Sequence, residues 1–102
     1  MPSKGGIWKL LIFESGSRHW ALPVFRVRRI VHLCATIRPP GSPKFLSGFL
    51  DLCGQLLPVV RLATLFELDE VDDGPYTPIL ILRDMATALL VKSVRGLVTV
   101  DP

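Results

Sequence analysis

Nucleophilic or metal chemistry in this 102-residue chain would have to start from Cys34, Cys53, His19 and His32. A cysteine nucleophile needs a base within hydrogen-bond reach and a third group to orient that base. No local sequence around either cysteine supplies such a constellation. Cys34 lies two residues after His32, a spacing that puts both on one face of a strand. Free cysteine is most often a small buried hydrophobe, so the pair reads as packing or surface rather than as a catalytic dyad. A zinc site takes four ligands, usually from closely spaced cysteine pairs, and the chain has no such pair. Glu67, Asp69, Glu70, Asp72 and Asp73 crowd one stretch, but without the central glycine that bends a calcium loop around its ion. No glycine-rich phosphate loop is present either. The expectation is a protein that is not an enzyme and needs no cofactor and no metal.

The other chemistry in the sequence is charge. Net charge is +3, but residues 1–50 carry eight Lys/Arg and one acid, whereas residues 51–102 carry four Lys/Arg and eight acids. Arg26, Arg28 and Arg29 form the densest basic cluster. With a pI near 9.2, a small basic β-barrel that binds nucleic acid is the alternative reading from another class. A binding sheet of that kind interleaves aromatic and basic residues, and here Trp8, Phe13 and Trp20 stand only loosely near Lys9 and Arg18. The acidic second half would repel phosphate. The expectation is no nucleic-acid partner.

Short strands and turns must position these residues. Ile7–Phe13 is rich in β-branched and aromatic residues and reads as a strand. Glu14–Ser17 is turn chemistry, and His19–Leu22 resumes a strand. Pro23 suits a first helical position. After it, Val24, Val27, Ile30 and Val31 fall on one helical stripe, which predicts a short helix with the arginines outside. Residues 37–43 form a proline-stiffened connector. Phe45–Leu62 holds two apolar runs split by Cys53-Gly54, a β-hairpin signature because glycine reaches positive φ freely. Pro58 lacks an N–H, which places it at an edge or a bulge. Leu62–Phe66 predicts one helical turn, and Glu67–Gly74 a mobile acidic loop. Tyr76–Leu82 and Thr87–Val91 predict paired strands. Val94, Leu97 and Val98 fit helix or strand spacing equally.

Composition bounds the rest. The chain is 49% hydrophobic with a mean hydropathy of +0.43, high enough that some apolar surface is expected to serve a partner. No run approaches the ~20 apolar residues of a membrane span. The start lacks a long apolar core and brings in Glu14 and Arg18 early, so no secretory signal is expected. Two cysteines are too few for a disulfide framework, which favours reduced thiols and a cytoplasmic setting. The length allows one domain over residues 1–102. Many short strands with Gly/Pro turns predict an all-β fold of the small-barrel class with one or two short helices.

In the order and spacing of these blocks the chain resembles the CheW-like domain, the coupling module of bacterial chemotaxis arrays. The resemblance runs from about Leu10 to Val100 and rests on WALPVFRVRRIV, IRPPGSPKFLSGFLDLCGQLLPVVRL, YTPILIL and ALLVKSVRGLVTV. It implies two small SH3-like β-barrel subdomains, no catalysis and no direct membrane insertion. The implied role is an adaptor that couples the regulatory domain of a CheA-type histidine kinase to the cytoplasmic tip of chemoreceptors. The implied partner-binding positions are Val27, Ile30, Val31, Val94, Leu97 and Val98 as groove-lining apolar residues. Gly48, Cys53 and Gly54 match the family's hairpin signature.

Three departures from the family pattern stand out. Cys53 replaces an arginine at the hairpin turn. Arg61 and Lys92 each replace an aspartate, reversing the charge. Family members continue with further strands beyond the position of Pro102, so the second barrel is expected to be incomplete and the domain C-terminally short. Unpaired strand edges invite pairing with a second copy, and a homo-oligomer or strand-swapped dimer is the corresponding expectation.

Overall fold

The computed structural model describes residues 8–32, 36–68 and 77–101. In chain order they form β1 (Trp8–Ser15), β2 (Arg18–Pro23), a 3₁₀ turn (Val24–Arg26), β3 (Val27–His32), β4 (Leu46–Leu52), β5 (Gln55–Arg61), the single-turn helix α1 (Leu62–Leu65), β6 (Pro78–Leu82), β7 (Ala88–Leu90) and β8 (Ser93–Val100). The fold is mostly strand, as the sequence predicts, and the strands make two sheets. One has three strands in the order β2-β1-β8, the other five in the order β3-β6-β7-β5-β4. All pairings are antiparallel except that of β5 with β7, which is parallel.

The strand β6 organises the core. Its first four residues are all buried, the pattern of a strand covered on both faces rather than one. Ile79 and Ile81 point into a cluster with Leu50, Leu57, Val59, Ala88 and Leu90, inside the five-stranded sheet. Leu80, between them, points the other way, into a cluster with Leu11, Phe13, Leu62 and Val91. That second cluster glues the two sheets together, since Leu11 and Phe13 come from β1.

The hairpin at Phe45–Leu62 forms with the expected turn. Cys53 and Gly54 take φ values of 51° and 88°, two positive values in a row, the geometry that matches strand twist. The Gly54 N–H donates to Asp51 Oδ1 at 2.9 Å. Cys53 adopts this conformation without the freedom of glycine, at a cost of roughly 1–2 kcal/mol. Pro58 is not on an outer strand, because β5 lies between β7 and β4. Its missing N–H is nevertheless harmless. Phe49, opposite Pro58, exchanges both backbone hydrogen bonds with Ile37 (2.7 and 3.1 Å). Pro58 therefore sits in a non-hydrogen-bonded pair, and the ladder with β7 begins only at Val59.

One expectation is corrected. Residues 27–32 form a strand, not a helix, and only Val24–Arg26 make a turn of 3₁₀. The helical stripe has a physical origin. β3 pairs with β6 as Val27 to Leu82 and Arg29 to Ile81, leaving Arg28 as an extra residue in a β-bulge. Ile30 pairs with Leu80, so Val27 and Ile30 share the face of Leu82 and Leu80. A bulge thus puts positions i and i+3 on one side of a strand, and their spacing imitates a helix. Val94, Leu97 and Val98 belong to strand β8. The acidic stretch predicted as a mobile loop lies largely outside the described residues, which omit 69–76; Cys34, in 33–35, is outside them as well.

Candidate partner-binding groove

Pro23, with φ −55° and ψ 132°, ends β2 and hands the chain to the 3₁₀ turn that carries it from the small sheet to the large one. Carbonyls left open by so short a turn need donors. Arg83 supplies them: its backbone N–H donates to Arg26 O at 2.8 Å and its Nε to Phe25 O at 2.9 Å. The Phe25 ring tilts against Trp8 of β1 with centroids 6.0 Å apart, and the Arg26 guanidinium lies 5.8 Å from the Phe25 centroid. The turn is thereby tied to both sheets and cannot swing independently of either.

Beside this turn lies a cleft of about 280 Å³, walled by Leu11, Val24, Val27, Ile30 and Leu97, with Arg28 and Arg29 along it. β3 and β8, which supply most of its walls, are each an outer strand of their sheet. The groove thus runs between the sheets, aliphatic on both sides. Ile30 is 43% exposed and Leu97 60%, values at which a large apolar side chain gains by being covered. Its size admits one or two apolar side chains of a docked segment, not a drug-sized molecule.

Of the positions singled out in the sequence, Val27, Ile30 and Leu97 meet in this groove. Val31 instead packs on the core of the five-stranded sheet, and Val94 on the cluster between the sheets. Val98 lies on β8 opposite Leu10, exposed but outside the groove lining. Gly48 is buried in β4. A Cβ there would come within 2.7 Å of Thr36 Oγ1, at a φ of 153°, so that position is held by backbone and space. Cys53 and Gly54 form the exposed tip of the hairpin. Leu11, Val24, Arg28 and Arg29 also line the groove and were not singled out as site residues. Val24 belongs to the apolar stripe and the two arginines to the basic cluster of the sequence, but nothing local puts those arginines at a groove, because only the bulge and the neighbouring sheet place them.

Two smaller features surround the β6–β7 turn. A cleft of about 150 Å³ is lined by Arg28, Gln55, Leu57, Arg83 and Met85, among others. Another, of about 270 Å³, is lined by Leu22, Arg26, Leu82, Asp84 and Met85. Arg26 and Asp84 stand 4.0 Å apart there, both well exposed, an ion pair of small energetic weight. Among the described residues no three His, Cys, Asp or Glu side chains gather as metal ligands. No helix of the described residues is long and apolar enough to cross a membrane.

Comparison with known proteins agrees with this architecture. Residues 9–102 match the model of the CheW-like domain family. The chain is 27% identical over 94 residues to "Chemotaxis protein CheW" of Bacillus subtilis (strain 168), covering 90% of this chain and 60% of that protein. It is 27% identical over 94 residues to "Probable chemotaxis protein CheW" of Rhizobium etli, covering 90% of this chain and 61% of that protein. The chain therefore spans about three-fifths of the length of the curated relatives it matches. In fold it is similar to the scaffolding protein TtCheW of Thermoanaerobacter tengcongensis. The TM-score is 0.84 at 23% identity, over 99% of this chain and 67% of that structure.

Proposed function

This chain belongs to the CheW-like domain family, and from that premise we propose that it is a non-enzymatic adaptor of chemotaxis-type signalling, joining a CheA-type histidine kinase to chemoreceptors by binding each. The observation that carries the reading is the groove between the sheets. It brings aliphatic side chains from β1, the 3₁₀ turn, β3 and β8 to one exposed surface, on elements held rigid by the shared core. Apolar grooves of this kind take the apolar face of a partner helix. The regulatory domain of the kinase and the cytoplasmic tip of the receptor are the proposed partners, which places the protein in the cytoplasm. A nucleic-acid role finds no support in the groove, whose lining among the described residues has no aromatic ring on which a base could stack.

The test is capture of a purified CheA-type regulatory domain and of a receptor cytoplasmic fragment by the intact chain. Ile30→Glu and Leu97→Glu should each abolish capture of the groove's partner while leaving the unfolding transition in place. Folded variants that still capture both partners would remove the reading. Variants that fail to fold would reassign the positions to the core.

A second reading concerns self-association. Among the described residues β8 pairs only with β1 and exposes Leu97, Val98 and Val100, an edge with little of the charge that discourages strand addition. We propose that this edge can pair with a second copy. Sedimentation at micromolar concentration should then show a dimer that dissociates on Val98→Lys; a stable monomer would overturn this.

A further inference from the structure

The groove's charge has a direction that the apolar reading leaves unused. Both strands that border it carry a β-bulge, and in each the extra residue is an arginine: Arg28 in β3 and Arg95 in β8, between the pairs of Ile12 with Gly96 and Phe13 with Val94. Bulges re-aim side chains and occur often at functional surfaces. Arg28 and Arg29 line the groove, no acid among the described residues lines it, and Arg95 stands two residues before Leu97 on an exposed stretch of β8. Among the described residues the nearby acid Asp84 is already paired with Arg26, whereas Arg28, Arg29 and Arg95 have no ion pair.

We propose that the groove selects a partner segment that is apolar on one face and acidic along its margins, its carboxylates meeting Arg28, Arg29 and Arg95. This rests on the groove being the docking site. Arginine is suited to the task, because its fork receives a carboxylate through two parallel hydrogen bonds. The aliphatic walls supply contact area, and the arginines supply choice of partner and speed of encounter. A single-stranded nucleic acid would satisfy the charges but find no stacking surface among the described residues of the lining.

The probes are two short helical peptides, one with leucines at positions three and four apart and glutamates on the flanks, the other with every glutamate replaced by lysine. Affinity is read by fluorescence anisotropy at two salt concentrations, and location by the methyl signals of Val27, Ile30 and Leu97. The glutamate peptide should bind at least about tenfold more tightly, a discrimination expected of like against opposite charge at an interface, and should shift all three signals. The Arg28→Glu/Arg29→Glu double variant should reverse the preference. Arg95→Glu alone should weaken only the glutamate peptide, which keeps the test intact if the double variant folds poorly. Equal affinity of the two peptides with the methyl shifts present would overturn charge selection while the groove stands. Absence of shifts with either peptide would overturn the groove itself and this inference with it. Tighter binding of oligothymidine than of the glutamate peptide would overturn the proposal in favour of a nucleic-acid ligand.

Discussion

β6 and β8 are both apolar strands within the last third of the chain, yet one is the best-buried element and the other the most exposed. In β6, Ile79, Leu80 and Ile81 are at most 1% accessible, because β3 and β7 flank the strand and a cluster covers each face. In β8, every residue from Arg95 onward is exposed, and among the described residues its pairing is with β1 alone. Hydrophobicity therefore does not tell where a strand lies. It tells that the strand must be covered, by the protein's own core or by something else.

The largest effect should come from Leu80→Ala. Leu80 serves the cluster between the sheets, and truncation there should cost about 2–5 kcal/mol, read as a lower denaturant midpoint at unchanged slope. Ile81→Val removes one methyl group from the other face of the same strand and should cost about 0.5–1.5 kcal/mol. If it costs as much as Leu80→Ala, the cluster inside the five-stranded sheet is the less tolerant of the two, because Ile→Val removes far less of the side chain. Native-state amide exchange should separate the strands without mutation. The β6 amides should exchange only with global unfolding, and outward amides of β8 near the free-peptide rate. Uniform protection of β8 would mean that its edge is covered in solution. The smallest effect should be that of Leu97→Ala, within about 0.5 kcal/mol, while groove binding falls measurably. A loss comparable to that of Leu80→Ala would show Leu97 to be core and erase the contrast.

Much of the fold is legible in local sequence. The hairpin follows from two apolar runs around Cys53-Gly54, and the turn adopts the expected positive φ values. The run from Tyr76 to Leu82 reads as a strand from its apolar residues, and β6 occupies Pro78–Leu82 of it. β3 is misread as a helix, although Val27, Ile30 and Val31 are β-branched and favour strands, because Arg28 is an unpaired bulge residue. Nothing within eight residues announces a bulge; it exists only relative to the partner strand. The site is legible to the same partial degree. Val27, Ile30 and Leu97 share the groove, whereas Val31 and Val94 turn toward the cores. Cys53 and Gly54 lie at the exposed hairpin tip and are not among the residues that line the groove.

By itself, then, the sequence determined the strand-rich class, the tight turn at Cys53-Gly54, the lack of any catalytic or metal-binding spacing, and a family pattern spread over nearly the whole length. These depend on neighbours in the chain, whose φ/ψ preferences and alternation act locally. The tertiary structure alone decided which apolar residues meet. Val27 and Leu97, seventy positions apart in the chain, face one groove because β3 and β8 are outer strands of two sheets joined through Leu80 and its cluster. Register, bulges and the choice of outer strand are set by which pairing buries the most apolar surface, a property of the whole chain that no window of it contains.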